Sequence, residues 1–170
     1  MNKHGGMRPQ DVVVLLKIVA LGEEPWLARD AASALHLSPA EVSNSLKRSA
    51  LADLYDPVRK QVAKRNLLDL LVHGLRYVFP AQPGGVGRGV PTAHSAPPLD
   101  AQFRSGEGFV WPSAKGSVQG QAIEPLYPGV PDVALEDPAM HQLLALVDAL
   151  RVGRTRERTE AAKELTKRLK

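Results

Sequence analysis

Proline constrains this chain more than any other residue, because ten of its 14 prolines lie between residues 80 and 138, together with nine of its 14 glycines. Proline fixes its own φ angle and carries no amide hydrogen, so this density excludes long helices from the segment. The segment nevertheless keeps large apolar side chains that a disordered linker rarely carries, among them Phe109, Trp111 and Tyr127. We therefore predict an ordered but irregular arm over residues 80–137.

One part of the arm has the pattern of a β-hairpin. Residues 108–112 and 117–124 are the expected strands, and the four residues Ser113–Gly116 form a turn that contains glycine. The glycines at 84–89 are not followed by Lys-Ser or Lys-Thr and a helix, so they do not form a phosphate-binding loop. The arm is expected to pack on a helical surface or on a partner subunit.

Two short helices joined by a tight turn are predicted between Leu27 and Leu54. Ser38 has the position of an N-cap, Pro39 fits the first helical position, and Glu41 completes a capping box three residues after the cap. The alternative is an ordinary helical hairpin in an all-α domain.

The second helix of this pair has an apolar side and a polar side. Val42, Leu46 and Ala50 recur every four residues and predict a buried stripe. The side chains off this stripe are short hydrogen-bonding groups and cations, which are the types that reach base edges and phosphates: Ser43, Asn44, Lys47 and Arg48.

The helix before the turn carries Ala31 and Ala32, whose small side chains allow two helices to cross closely, and Leu37 is expected to be buried in the turn. His36 occupies the turn position where the backbone tends towards positive φ, a region that histidine tolerates better than a β-branched residue does.

A small β-hairpin is predicted after the second helix, with Leu54–Tyr55 and residues 61–63 as strands around the turn signal Asp56-Pro57. Its cations are candidate phosphate contacts, which give affinity without sequence information: Arg59, Lys60, Lys64 and Arg65. The alternative is that this segment is the start of the next helix.

Four further helices are predicted around these elements. Residues 8–21 are apolar on nearly every side, so this helix is buried by the other helices of the chain or by a second subunit. Residues 66–79 form a second helix, Asp137-Pro138 begins a third, and Thr155 caps a fourth whose other faces are basic. We expect these basic faces to be solvated, with a second DNA contact as the alternative.

Composition excludes several classes of protein. The chain has 170 residues and no cysteine, which excludes disulfides and thiolate chemistry, and no apolar run reaches the ~18 residues of a membrane-spanning helix. Residues 1–79 carry 11 Lys and Arg against 8 Asp and Glu, residues 80–150 carry 3 against 7, and residues 151–170 carry 8 against 3. No nucleophile–base pair, carboxylate pair or metal cluster is evident, so we expect neither an enzyme nor a cofactor.

Residues 8–79 resemble the winged helix-turn-helix regulators, in particular the MarR-like group, in their order of helix, helix-turn-helix, hairpin and helix. The resemblance implies a homodimer that binds double-stranded DNA, with the second helix of the motif in the major groove and the hairpin, or wing, on the backbone. It assigns the groove-facing positions and the wing contacts to the following residues: Ser38, Ala40, Ser43, Asn44, Lys47, Arg48, Arg59, Lys60, Lys64 and Arg65. The chain departs from this group at His36, in the shortness of the wing and throughout residues 80–170.

The expected fold is therefore mainly α, with a winged helix-turn-helix domain at 1–79, the Pro/Gly-rich arm at 80–137 and two C-terminal helices at 138–170 for dimerisation or packing. The expected function is a sequence-specific transcription regulator, most simply a homodimeric repressor in the cytoplasm at the nucleoid, with no membrane partner. The alternative is a protein-docking module, or an antitoxin-like partner of a co-encoded protein, that uses residues 80–137.

Overall fold

Over the residues that the structure describes, the chain is mainly α-helical, as its sequence predicts, with five short strands in two separate groups. The structure is a computed structural model that describes residues 5–104 and 106–170. The helices within these residues are α1 (Pro9–Leu21), α2 (Ala28–Ala34), α3 (Pro39–Leu51), α4 (Lys64–His73), α5 (Leu75–Val78), α6 (Val130–Glu136), α7 (Pro138–Val152) and α8 (Thr155–Arg168). The strands are β1 (Tyr55–Asp56), β2 (Gln61–Val62), β3 (Val86–Thr92), β4 (Phe109–Pro112) and β5 (Val118–Ala122).

Helices α1 and α7 lie against each other in the centre of the core. Residues 11–16 of α1 and residues 143–151 of α7 are buried without interruption. The chain's own elements bury α1, so a second subunit is not needed to cover it. One hydrophobic cluster contains buried side chains from all three predicted segments, for example Leu15, Trp111 and Leu146.

Most predicted helix boundaries are confirmed by the structure. Gly22, with φ 65°, ends α1, and Asp137 caps α7 by accepting hydrogen bonds from the amides of Ala139 and Met140, both at 3.1 Å. Two boundaries were predicted wrongly. Gly74 divides the helix expected over 66–79 into α4 and α5, and α8 is capped by Arg154, with Thr155 as its first residue. Helix α6 was not predicted.

The hairpin predicted within the arm is wrong, because its two strands are parallel rather than antiparallel. Strand β5 pairs with residues 86–89 of β3 and strand β4 pairs with residues 89–92, both in antiparallel orientation. Strands β4 and β5 also pair with each other in parallel, which closes a three-stranded barrel. The backbone approaches itself closely at Gly89 and Gly116. A Cβ atom at Gly89 would lie 2.1 Å from the Trp111 carbonyl oxygen, and one at Gly116 would lie 2.1 Å from the Gly89 carbonyl. Only glycine fits these two positions.

A buried polar network attaches the barrel to α7. Asp148 on α7 is 1 % exposed, and its Oδ2 accepts hydrogen bonds from Thr92 Oγ1 at 2.8 Å and from Trp111 Nε1 at 2.6 Å. Its Oδ1 accepts a hydrogen bond from Arg151 Nη1 at 2.8 Å. Burial raises the pKa of Asp148, while the Arg151 charge and these three hydrogen bonds act in the opposite direction.

No helix within residues 5–104 and 106–170 is long and apolar enough to cross a membrane.

Candidate nucleic-acid interface

The start of α3 has the cap that the sequence predicts. Ser38 Oγ accepts a hydrogen bond from the Glu41 amide at 3.1 Å, and the Ser38 amide donates to Glu41 Oε2 at 2.7 Å. The hydrogen bond from the Ser38 amide lowers the pKa of the exposed Glu41 carboxyl, so this group is ionised at neutral pH. Ser38 and Ala40 are both exposed at this end of the helix.

Three of the polar residues predicted on α3 are exposed together on its outer side: Ser43, Asn44 and Lys47. The buried stripe, however, is rotated from the predicted one. Val42 is fully buried as expected, but the next buried positions are Ser45 and Ser49, while Leu46 and Ala50 are only partly buried. Leu46 and Ala50 instead line a groove on the outer side of the helix.

Arg48 is the one predicted α3 contact that the structure contradicts. Its Nε donates to Asp11 Oδ2 at 2.8 Å and its Nη2 donates to Asp11 Oδ1 at 2.7 Å, so the guanidinium binds the carboxylate of α1 through two bonds. The side chain is 12 % exposed and Asp11 is fully buried. The hydrogen bonds to Asp11 raise the pKa of Arg48. Arg48 therefore joins α3 to α1 and is not free on the outer side of the helix.

The predicted hairpin is present, with Tyr55 opposite Val62 and Asp56 opposite Gln61. Its turn is closed by Asp56 Oδ1, which accepts hydrogen bonds from the Val58 and Arg59 amides at 2.9 and 3.0 Å. The bond from the Arg59 amide contributes most to a lowered pKa of Asp56. This is an Asx turn, and it fixes the tip of a hairpin whose strands have only two residues each.

The cations predicted for the hairpin are placed unequally, and Lys64 and Arg65 are the first two residues of α4. Arg59, Lys60 and Arg65 are exposed, and Lys60 adopts φ 54°. Lys64 is partly buried, and its Nζ donates to the carbonyl oxygen of Lys170 at 3.2 Å. Lys64 is thus drawn towards the end of α8 and away from the hairpin tip.

A groove of about 730 Å³ lies between α3 and the hairpin, and it brings predicted residues from both elements together. Ser43 and Lys47 line it from α3, and Lys60 lines it from the hairpin. The other lining residues are apolar or aromatic, a feature that the sequence analysis did not predict: Trp26, Leu27, Ala28, Leu46, Ala50, Leu51, Tyr55 and Pro57. The side chain of Leu51 is 78 % exposed at this groove.

The turn between α2 and α3 is held by residues that are far away in the chain. His36 adopts φ 55°, as its turn position predicts, and its Nε2 lies 3.0 and 3.1 Å from the two carboxylate oxygens of Glu136 on α6. The buried Tyr127 hydroxyl donates to the Leu35 carbonyl oxygen, and burial raises the pKa of Tyr127. The position of α3 is therefore supported by the segment that follows the barrel, and no local sequence pattern indicates these contacts.

No group of three or more His, Cys, Asp or Glu residues that could hold a metal ion occurs in the part of the chain that the structure describes. Comparisons of the chain with protein-family models, with curated proteins and with solved structures returned no match.

Proposed function

We propose that this protein is a sequence-specific, winged helix-turn-helix transcription regulator that binds double-stranded DNA as a homodimer. The observation that carries the proposal is the groove between α3 and the hairpin, where Ser43 and Lys47 of one element face Lys60 of the other. A helix with an exposed polar side fits the major groove, and a basic hairpin beside it reaches the adjacent phosphates.

In this proposal Asn44 hydrogen-bonds to a base edge, because asparagine pairs through two hydrogen bonds with adenine. Lys47, Arg59, Lys60 and Arg65 neutralise phosphates, and Arg48 supports the helix from behind. Repression follows where the bound dimer blocks transcription, and binding of this kind places the protein at the nucleoid. Two copies related by a twofold axis would read half-sites about one helical turn apart.

A protein-docking function is a second candidate, and the apolar floor of the same groove favours it. Leu27 and Leu51 are 53 % and 78 % exposed beside this floor, and Val58 at the hairpin tip is 89 % exposed. Exposed apolar surface of this kind is typical of interaction sites. An antitoxin-like protein would combine this docking function with DNA binding.

Binding to two duplexes distinguishes these functions. The purified protein is titrated with the duplex upstream of its own coding sequence and with a scrambled duplex of the same composition, each at two salt concentrations. We expect a preference for the native duplex that persists at the higher salt, because base contacts do not release counterions. Equal and salt-sensitive binding to both duplexes, or no binding, would contradict the proposal and favour the docking function.

A further inference from the structure

A second groove, of about 770 Å³, lies on another part of the molecule, between α4 and α5 on one side and α8 on the other. It contains the basic face of α8, which has no role in the proposed function. Its lining includes four cations: Arg76 from α5, and Arg158, Lys163 and Lys167 from α8. No carboxylate is among the described residues that line it.

The carboxylates of α8 lie outside this groove. Glu160 and Glu164 bind the Nζ atoms of Lys163 and Lys167, each at 2.9 Å. The two lysine side chains are 61 % and 67 % exposed and their glutamate partners 28 % and 21 % exposed, and ion pairs at the surface contribute little to stability. Both lysines can therefore turn to a phosphate in the groove at small cost.

An exposed aromatic ring lies at the α5 side of the groove. Tyr77 is 74 % exposed, and the Arg76 guanidinium lies 5.5 Å from its ring centroid. Both kinds of side chain bind the phosphate and sugar oxygens of duplex DNA, tyrosine through its hydroxyl and arginine through its guanidinium.

Helices α4 and α8, which form two sides of the groove, are also joined by a cation. Lys64 begins α4 directly after β2, and its contact with the Lys170 carbonyl joins the start of α4 to the end of α8. The ten residues of α4 span about 15 Å and run from Lys64 to His73, which lines the groove.

We propose that the groove between α4–α5 and α8 binds the sugar–phosphate backbone of nucleic acid, as a second contact separate from α3. The inference rests on the proposed function only in that the ligand is the same DNA. A twofold interface centred on this groove would place the same cations opposite each other, which disfavours a second copy of the chain as its occupant. A concave groove also suits a strand better than a flat membrane surface.

The test compares two variants that lose the same number of positive charges. The groove variant carries Arg76→Gln, Lys163→Gln and Lys167→Gln, and it leaves the half-buried Arg158, which donates to the Gly153 carbonyl at 2.8 Å. The control variant carries Arg88→Gln, Arg104→Gln and Lys115→Gln, three substitutions in the barrel segment that lie outside the groove lining. Circular dichroism and thermal melting check that both are folded.

We expect the groove variant to bind native and scrambled duplexes about tenfold more weakly or worse at low salt. The slope of log affinity against log salt should fall by about 2 to 3, since each lost phosphate contact removes about 0.9. The preference for the native duplex should not change. The control variant should bind within about twofold of the wild type with the same slope, because its lost charges are not at the contact.

Equal affinities and slopes for the two variants would overturn the inference and leave the proposed function intact. If the wild type shows no sequence preference but the groove variant still loses salt-sensitive binding, the proposed function fails and the inference stands. No DNA binding by the wild type at low salt would overturn both. A groove variant that keeps its DNA affinity but no longer binds phosphatidylglycerol vesicles would overturn the inference in favour of a membrane surface.

Discussion

Arg48 and Asp11 form a buried, two-bond ion pair that holds α3 against α1. Asp11 Oδ2 also accepts a hydrogen bond from the Arg8 amide at 2.8 Å, so the same carboxylate orders the start of α1. A residue that resembles a DNA contact in the sequence is therefore part of the support behind the proposed recognition helix. The two roles can be distinguished by experiment, because loss of a structural support lowers the free energy of unfolding, whereas loss of a contact lowers the affinity for DNA.

Arg48→Ala is expected to destabilise the fold by about 3 kcal/mol, because it leaves the Asp11 carboxylate buried without its charge partner. Urea unfolding followed by circular dichroism measures this change. The double variant Asp11→Leu with Arg48→Met should recover much of the loss, since apolar pairs of similar size often replace buried ion pairs without penalty. If Arg48→Ala is as stable as the wild type but loses DNA affinity, Arg48 is a contact after all.

Asn44→Ala is expected to relax the choice of base at one operator position and to change total affinity by only about 1–3 kcal/mol. Asn44 is exposed on α3, so its substitution leaves the core unchanged. Selection from a duplex pool randomised at each position in turn identifies the affected base pair. Ser33→Ala, an exposed substitution on α2, is the matched control. An equal loss of affinity for every sequence would contradict the base-reading role of Asn44.

Lys60→Ala is expected to weaken binding to all sequences and to lower the salt slope by about 1, which corresponds to one phosphate contact. Titration of native and scrambled duplexes over a salt series measures both quantities. Lys60 also has φ 54°, so Lys60→Gly provides a variant without a strained backbone. If Lys60→Gly restores the salt slope that Lys60→Ala loses, the residue shapes the hairpin and does not bind phosphate.

Local sequence patterns predicted the elements of the candidate interface well. The Ser38 cap, the positive φ of His36 and the two short strands around Asp56 all depend on residues within a few positions of each other. Capping boxes and Asx turns are made from such neighbours, so a sequence contains all the information needed to recognise them.

Contacts between distant residues could not be predicted in this way. Arg48 and Asp11 are 37 positions apart, and Tyr127 and Leu35 are 92 apart. The parallel pairing of β4 and β5 depends on the close approach of Gly89 and Gly116, and glycine-rich segments are equally compatible with a simple turn. Which side of a helix is buried depends on the elements that pack against it. For this reason Ser45 and Ser49 of α3 are buried in place of the predicted Leu46 and Ala50.

Asp137 makes the free energy of unfolding depend on pH under acidic conditions. Burial alone would raise its pKa, but the hydrogen bond from Lys17 Nζ at 2.8 Å, the amides of Ala139 and Met140 and the Lys17 charge outweigh burial and lower the pKa below 3.8. A carboxyl whose pKa is lower in the folded state stabilises that state fully at pH values above its unfolded pKa. This contribution is lost as the pH falls through the pKa of the folded state.

Asp137→Asn is therefore expected to cost about 1 kcal/mol at pH 7, because asparagine keeps the helix cap but not the Lys17 charge pair. The difference from the wild type should shrink as pH falls below 3.8. Urea unfolding between pH 7 and pH 3 measures it, with Asp100→Asn at an exposed site as the control. A difference that stays constant over this range would show that the charge of Asp137 has no role.

Asp148→Asn tests how the barrel is attached to α7. Asparagine has one acceptor oxygen, which can serve Thr92 and Trp111, but its amide then faces the Arg151 guanidinium, so donor opposes donor. We expect a loss of about 3 kcal/mol in urea unfolding, since the Arg151 charge stays buried with only carbonyl partners at Phe79 and Glu124. Thr92→Val, which removes a single donor, should cost about 1 kcal/mol and is the matched control. Equal stabilities of Asp148→Asn and Thr92→Val would mean that the Asp148–Arg151 charge pair contributes nothing and that the hydrogen bonds to β3 and β4 alone hold the barrel on α7.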